Sequence, residues 1–385
     1  MPTSQKIVLV ANIAWNLYNF RRGLILALQA QGYDIILVAA PDEYVAALEQ
    51  MQCTFVPLQN MSRKGTNPIQ DYKLYQELYQ IYAKYQPIAI LQYTIKPNIY
   101  GTLAAHKAKI PAIATITGLG YTFLNTGLVP KLVRYLYRFA LQRAKHVIFQ
   151  NQDDRNLFVE SNLVAQPKTL LVPGSGIDIY TFQPIAKADI YKNTFIFLFV
   201  GRLLYDKGIR EFLQAAEKLK ASNNTNIEFK ILGALDTENP SALAAAELQT
   251  YIDNGIVQYL GISDKVKDIM ANCDCVVLPS YREGLPRVML EALAMAKPVI
   301  TTDAPGCRDT VKDGENGFMV PIQNAVALEK AMQNMLQLPE NIRLNMGQKG
   351  RSMAENLFSQ EVIVQAYLKL LKPYSLSQKE KITQL

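Results

Sequence analysis

Two doubly wound α/β domains are what this 385-residue sequence predicts, and three observations predict them. The length suits two domains of similar size better than one. Short apolar runs, of a length to be strands buried on both faces, alternate with helical patterns, as in a parallel sheet. The scheme then starts again near the middle of the chain, so each half carries a sheet of its own. With 49% hydrophobic and 19% charged residues, a disordered or fibrous chain is excluded.

The first half opens on KIVLVAN (6–12), read as a buried strand, and on a loop, NIAWNLYNFRRG (12–23), that holds the only tryptophan, Trp15. FRRGLILALQAQG (20–32) is amphipathic and stops at Gly32, as a helix does. Strands follow at DIILVAA (34–40), IAILQYT (88–94), AIATIT (112–117), HVIFQ (146–150) and TLLVPG (169–174). SGIDIYTFQPIAK, within 174–190, reads as the linker. The second half places strands at FIFLFVG (195–201), IEFKILG (227–233), VQYLG (257–261), CVVLPS (275–280) and PVITTD (298–303). An acidic amphipathic stretch (322–356), a helix at EVIVQAYLKLLK (361–372) and a polar tail, KPYSLSQKEKITQL, close the chain. The expected division is 1–173, 174–356 and a C-terminal segment, 357–385.

The net charge of +7 is unevenly placed. Residues 1–173 hold 17 Lys and Arg against 9 Asp and Glu, while residues 174–385 hold 23 against 24. Residues 101–150 carry seven basic residues and no acidic one. Such a one-sided field indicates an anionic partner (nucleic acid, anionic lipid or a phosphorylated substrate), or else a solvated basic surface. No run of 18 apolar residues spans a membrane, and the N-terminus lacks the pattern of a secretory signal, so cytoplasmic residence is expected. Cys273 and Cys275 alternate within NCDCVVLPS as small hydrophobes of a buried strand. No second ligand pair lies near them in sequence, and neither a metal site nor a disulfide framework is expected.

Chemistry concentrates in the second half. FIFLFVGRLLYDKGIREFLQAAEKL reads as strand, loop and helix, with Gly201, Arg202 and Lys207 in the turn. Cations beyond the carboxyl end of a strand in an open α/β sheet stand where phosphates bind. Arg offers a fork and Lys a point charge. Exposed loop cations account for the same pattern. LPSYREGLPRVMLEALAMAKPVITTD then places Glu283 in a loop and Glu291 eight residues on. Pro286 suits a first helical position, which leaves the N–H groups of Gly284 and Leu285 at the helix entrance. Eight helical residues advance roughly 12 Å. A retaining hydrolase pair needs about 5 Å. The two carboxylates either grip opposite ends of one extended ligand, or are a dipole-complementing loop acid and an ordinary surface Glu.

GRLLYDKG, SYREGLPRVMLEALAMAKPVI with its Glu-x7-Glu spacing, DGENGF and PGSGID (173–178) together resemble the family-4 retaining glycosyltransferases of the GT-B fold. The resemblance covers nearly the whole chain. In the first half, SRKGTNP (62–68), YTIKPNIYG (93–101), ITGLGYTF (116–123) and FQNQDD (149–154) look closest to a bacterial branch. Its members extend polyprenyl-diphosphate-linked sugars or build capsular and exopolysaccharide.

That resemblance implies two Rossmann-like domains facing each other across a cleft. The N-terminal one would bind the acceptor and the C-terminal one the nucleotide sugar, with the last helix returning to the N-terminal domain. It implies that Arg202 and Lys207 neutralise the donor's diphosphate, and that Glu291 holds the ribose hydroxyls. Glu283 would contact the transferred sugar, while the backbone at Gly284 and Leu285 cradles phosphate or sugar hydroxyls. Leu260, Gly261 and Ile262 would line the base site. Leaving-group charge met by fixed cations and N–H donors is a large catalytic term.

Where many relatives carry a His at the end of a first-domain strand, this sequence has Thr117 and Gly118. His106 and His146 do not fill that place, and no carboxylate identifies itself as the base. The resemblance implies that the leaving phosphate takes the acceptor's proton. Relatives often show a Gly-Gly pair after the first strand, where this chain has Asn16 to Asn19. On the acceptor side Lys96 follows a strand, facing the acceptor's diphosphate or only solvent. No Asp-x-Asp occurs, which fits a metal-independent enzyme without cofactor. KLVRYLYRFALQRAK (131–145) sets Lys131, Arg134, Arg138 and Lys145 near one helical face and Leu132, Leu136, Phe139 and Ala140 on another. Such a helix rests on an anionic bilayer, or packs into the domain by its leucines.

The leading expectation is transfer of a hexose or N-acetylhexosamine from a UDP-sugar to a polyprenyl-diphosphate-linked saccharide, at the inner face of the plasma membrane. The alternatives are a sugar-nucleotide epimerase of the same fold, which the scarcity of histidines disfavours, and a non-catalytic sugar-nucleotide-binding protein. A nicotinamide dehydrogenase lacks its G-x-G-x-x-G. Nucleic-acid binding has no recognised module to accompany the charge.

Overall fold

Runs such as IVLV and FIFLFV have apolar residues on both sides of the pleat, so they need cover on both faces, and the computed structural model supplies it with two parallel sheets. The structure describes residues 4–62, 67–119, 127–191, 193–222, 226–237, 239 and 241–375. Residues 63–66 of SRKGTNP, 120–123 of ITGLGYTF and the tail beyond 375 lie outside them.

Contacts divide the chain into unit 1, Met1–Gly176 with Gln360–Leu385, and unit 2, Ile177–Ser359. Unit 1 contains β1 (Lys6–Ile13), α1 (Ala14–Ala30), β2 (Asp34–Ala40), α2 (Val45–Gln50), β3 (Thr54–Pro57), α3 (Pro68–Tyr85), β4 (Ala89–Tyr93), α4 (Thr102–Ala108), β5 (Ala112–Ile116), α5 (Leu128–Leu141), β6 (His146–Phe149), α6 (Gln152–Glu160) and β7 (Thr169–Leu171). Its sheet runs β3-β2-β1-β4-β5-β6-β7. Alternation along β1 shows how both faces are covered. Ile7, Leu9 and Ala11 pack in one cluster with α1, and Val8 and Val10 in another with α3 and α4.

The first helix begins earlier than its sequence suggests. Residues 14–19, expected in a loop, are the first turns of α1, whose buried Ala14, Leu17, Arg21, Leu24, Ile25 and Leu28 repeat at helical spacing. Asp42, from the β2–α2 connection, accepts the Trp15 N–H at 2.8 Å and so satisfies one donor of that open helix end. A turn of π-helix, Pro97–Gly101, precedes α4 and follows Lys96 directly.

Unit 2 contains β8 (Phe195–Val200), α7 (Ile209–Ala221), β9 (Ile227–Leu232), α8 (Ala245–Asp253), β10 (Gln258–Tyr259), α9 (Val266–Ala271), β11 (Cys275–Leu278), α10 (Arg287–Ala294), β12 (Val299–Thr302), β13 (Gly317–Val320), α11 (Ala325–Gln337) and α12 (Glu340–Met353). The strand order is β10-β9-β8-β11-β12-β13. The chain then returns to unit 1 as α13 (Gln360–Ser375), whose Ile363, Tyr367 and Leu371 join the core under α1. The segment expected as a linker is held to unit 2 over part of its length. One guanidinium nitrogen, Arg351 Nη1, donates to the carbonyls of Ile179, Phe182 and Ala294 at 3.0, 2.8 and 2.6 Å.

Strands β3 and β13 were not expected. Thr54–Pro57 is a four-residue edge strand, too short to show a period, and Gly317–Val320 begins inside the turn-like DGENGF. The apolar residues of α5 are arranged differently from expectation too. Val133, Tyr137, Ala140 and Leu141 are its buried face, while Leu132 and Phe139 remain 49% and 42% exposed.

Candidate active site

Open parallel sheets bind ligands beyond the carboxyl ends of their strands, at the point where strand order reverses. In unit 2 that point lies between β8 and β11. The two loops expected to carry chemistry leave from those two strands.

The loop after β8 holds Gly201, Arg202 and, in a 3₁₀ turn Tyr205–Lys207, the lysine. It closes at Gly208, φ +73°, where a Cβ would stand 2.1 Å from the carbonyl oxygen of Pro279, so the first loop needs glycine to lie against the second. The Asp206 carbonyl accepts from Tyr281 N–H at 2.9 Å and from Ser280 Oγ at 3.1 Å. Tyr281 is anchored in turn, its hydroxyl donating to Glu211 Oε1 of α7 at 2.6 Å. Lys207 Nζ and Glu283 Oε1 form an ion pair, with side chains only 18% and 16% exposed. The structure thus joins two residues that are 76 apart in sequence.

A third strand supports Glu283 from behind. Its N–H donates to Pro305 O, after β12, at 3.0 Å. Gly306, φ +78°, lies so close that a Cβ there would meet Glu283 O at 2.4 Å and Gly284 O at 2.6 Å. Cys307 adds an uncharged thiol, because burial, and next the charge of Glu283, push its pKa up to about 12.

Pro286 is the N-cap of α10, one residue before the expected place, with ψ 111°. Residues 283–286 are therefore not helical, and the 12 Å reckoned for eight helical residues does not apply. From Arg287 to Glu291 is one turn. Gly284 is buried, and the Leu285 side chain belongs to the core. Arg287 Nε contacts Glu291 Oε1 at 2.9 Å. Burial raises the pKa of Glu291 above 4.5, and Arg287 opposes the rise. A carboxyl with a raised folded pKa contributes stability below its unfolded pKa and loses it as pH rises through the folded one. In the ligand-accepting role expected of it, Glu291 would act in the opposite sense, being lost as pH falls through the raised value. Arg287→Met leaves burial unopposed, so the acid limb of kcat/KM should move to higher pH. An unmoved limb in a pH–rate profile would remove Glu291 from that role.

Arg202 is placed apart from the pair, 56% exposed, with Nη1 3.2 Å from Asp236 after β9. Leu260, Gly261 and Ile262 follow β10. Leu260 N–H donates to Ile231 O, and Gly261 O accepts from Gly233 N–H, both at 2.8 Å. Ile262 is 78% exposed.

In unit 1 the order reverses between β1 and β4. Asn16 stands in the first turn of α1, and its Oδ1 is buried without a hydrogen-bond partner among the described residues. Asn12 Oδ1, Arg21 Nε and Thr94 Oγ1 share that condition. Thr94, just past β4, has φ +71°, a strained value for a β-branched residue. Arg21 is 4% exposed, with its guanidinium 3.8 Å above the Tyr93 ring. Lys96 is paired with Asp71 at 2.8 Å, and Asp71 also accepts from the Tyr100 hydroxyl at 2.9 Å. Thr117 and Gly118 follow β5, with Gly118 at φ +114°. His106 is exposed on α4, and His146 begins β6, so it stands at the amino edge of the sheet rather than beside Thr117.

Asp236, Tyr281, Gly306 and Asp71 were missed because their roles are tertiary. Arg21 had a signal: it interrupts the Leu17, Leu24, Leu28 stripe with a charge. Among the described residues no helix is long and apolar enough to cross a membrane, and no group of three or more His, Cys, Asp or Glu is placed to hold a metal ion.

Residues 183–353 match the model for glycosyl transferases group 1, and residues 6–151 the model for glycosyl transferase 4-like domains. Over 384 residues, covering 95% of this chain and 98% of the relative, the chain is 30% identical to the N,N'-diacetylbacillosaminyl-diphospho-undecaprenol α-1,3-N-acetylgalactosaminyltransferase of Campylobacter jejuni. The chain belongs to the group 1 glycosyltransferases. This glycosyltransferase is also 27% identical to the capsular polysaccharide biosynthesis glycosyltransferase CapM of Staphylococcus aureus, over 89% of this chain and 90% of that one. Its fold is that of the Anabaena HepE crystal structure in complex with UDP, with a TM-score of 0.77 at 19% identity over 96% of this chain and 100% of that one. The fold is GT-B: two Rossmann-like units with parallel sheets.

Proposed function

We propose that this glycosyltransferase moves a hexose or N-acetylhexosamine from a UDP-sugar to a saccharide carried on polyprenyl diphosphate, with retention at the anomeric carbon. It does so without a metal ion, in the cytoplasm at the inner face of the plasma membrane. The observation that carries this reading is the Lys207–Glu283 pair between two loops at the switch point of unit 2. A lysine fixed at that edge meets the charge that develops on a departing diphosphate, and Arg202, across the same loop, adds a second cation. Together they occupy the role that Mg²⁺ fills in metal-dependent transferases. Glu283, beside Lys207, supports positive charge at the anomeric carbon. Glu291 accepts from the ribose hydroxyls, and Leu260 to Ile262 flank the base. UDP is favoured because the HepE structure of the same fold holds it.

The acceptor class is supported by the Campylobacter relative, which by name acts on a diphospho-undecaprenol-linked sugar and aligns over nearly the full length of both chains. Asn16, Lys96, Thr117 and Gly118, all near the carboxyl edge of the unit 1 sheet, are assigned to the acceptor side. Membrane contact is assigned to α5, where Lys131, Arg134 and Arg138 are exposed beside Leu132, Tyr135 and Phe139.

The test presents a polyprenyl diphosphate-linked sugar in anionic vesicles with a UDP-sugar and reads the product's anomeric configuration by NMR. Retention of the donor's configuration is expected, and inversion would contradict the mechanism. Replacing Lys131, Arg134 and Arg138 by Gln should slow transfer in vesicles while sparing a water-soluble acceptor. Equal rates in vesicles would remove α5 from the membrane.

A further inference from the structure

We propose that Arg21, with Asn12, Asn16 and Thr94 at the switch point of unit 1, binds the diphosphate-bearing sugar of the acceptor. Arg21 takes a phosphate, and the other three take hydroxyls of the sugar. The inference rests on the lipid-linked acceptor proposed above and names the residues that read its anion.

The first observation is that Arg21 is a buried cation with no counter-charge. It is 4% exposed, no carboxylate pairs with it among the described residues, and its Nε has no hydrogen-bond partner there. A guanidinium does not lose its proton, so it cannot meet burial by turning neutral, as a lysine or a histidine can. The Tyr93 ring, 3.8 Å from the guanidinium, replaces only part of the hydration that is lost. Such a charge is accounted for by an anion that binds beside it.

The second observation is where the guanidinium stands. Side chains on a helix lean back toward its N-terminus. On α1 that direction leads to the carboxyl edge of the sheet, because α1 starts directly after β1. Tyr93, whose ring carries the guanidinium, is the last residue of β4. The strand order reverses between β1 and β4, so Arg21 belongs to the edge at which an open α/β sheet takes its ligand. Lys96, the cation expected on the acceptor side, already has its counter-charge in Asp71 at 2.8 Å.

The third observation is the chemistry of the groups at the same edge. Val10 of β1 is paired with Gln92 of β4, and two residues further along the two chains come Asn12 and Thr94. Asn16 follows in the first turn of α1. Asn12 Oδ1, Asn16 Oδ1 and Thr94 Oγ1 are all buried without a hydrogen-bond partner among the described residues. Thr94 keeps φ +71°, a strain that a β-branched residue holds where a site requires it. Two amide oxygens and a hydroxyl oxygen accept from hydroxyl donors, and a guanidinium donates to an anion. A polyol that carries a phosphate satisfies the whole set. An uncharged sugar would leave Arg21 unmet, and an anion without hydroxyls would leave the three oxygens unmet.

The test presents one acceptor sugar in two forms, on a short-chain polyprenyl diphosphate and as an uncharged alkyl glycoside, with the UDP-sugar donor saturating. The parent should prefer the diphosphate at least about tenfold in kcat/KM, the scale of a charge-assisted contact. Arg21→Met keeps the bulk and removes the charge. It should abolish that preference by raising KM for the diphosphate acceptor, and leave KM for the UDP-sugar unchanged. It should also melt no lower than the parent, because an unpaired buried charge is lost. A guanidinium that only props Tyr93 would give a lower melting temperature with the preference intact, which overturns the proposal. Asn16→Ala, at a half-buried position, tests the hydroxyl contacts by a separate route and should raise KM for both acceptors. An unchanged KM there, or a rise in KM for the UDP-sugar in Arg21→Met, overturns the proposal too. A parent that uses neither acceptor, or shows no preference for the diphosphate, would refute the lipid-linked reading and this proposal with it. A preference kept in full by Arg21→Met would overturn the proposal alone.

Discussion

Glu283→Gln should lower kcat by about two to three orders of magnitude while the protein keeps its fold, the scale on which removal of one electrostatic group from a transition state acts. Gln keeps the shape and a carbonyl oxygen for Lys207, so the loop has reason to stay where it is. What is lost is the negative charge that faces Lys207 and, in the proposed mechanism, the developing cation. Lys207→Ala should be comparably severe, because it removes the charge proposed to meet the leaving diphosphate. The two residues form one pair, with both side chains mostly out of water. The double variant should therefore fall little below the worse single one, a non-additivity that marks groups acting as a unit. Steady-state kinetics with a circular dichroism spectrum for each variant checks this. A kcat within threefold of the parent for Glu283→Gln would place the chemistry elsewhere.

Gly306→Ala is expected to be the largest effect from outside the pair. At φ +78° an alanine is strained at a cost of roughly 1–3 kcal/mol. Its Cβ would also fall 2.4 and 2.6 Å from the carbonyl oxygens of Glu283 and Gly284. Those are backbone atoms, so relief requires the Glu283 loop to shift by a large part of an ångström. A misplacement of about 1 Å can cost a hundredfold in rate. We therefore expect kcat/KM to drop by about that factor, with a lower melting temperature. Gly255→Ala is the control. Its φ of +67° is strained in the same way, but nothing lies within 4 Å of the added Cβ. It should lose stability and keep activity. Equal activities for the two variants would show that Gly306 has no part in placing Glu283.

The sheets were legible because parallel strands are continuous apolar runs: Asp34–Ala40 coincides with the segment read from sequence, and the other strands expected differ only at their ends. Helix α1 was misread at its start because Asn12, Asn16 and Asn19 are turn formers by local chemistry, while burial of Ala14, Leu17 and Arg21 decides for helix. On α5 the period was visible, but two apolar stripes satisfy it, and only tertiary packing selects Val133 and Tyr137 over Leu132 and Phe139. In the candidate site, residue types were legible and pairings were not. Nothing local to Lys207 indicates that its partner lies after another strand, or that Arg202 is held instead by Asp236. Gly306 is silent in sequence for the same reason, since its need for glycine comes from a carbonyl 23 residues earlier.

The central claim is metal-independent transfer from a UDP-sugar to a polyprenyl-diphosphate-linked sugar, and release of UDP from a panel of UDP-sugars, in chelator, tests it most directly. Release from one donor that rises many-fold when the lipid-linked acceptor is added is the predicted result. Release that does not depend on the acceptor, or that chelator abolishes and a divalent metal restores, would contradict it.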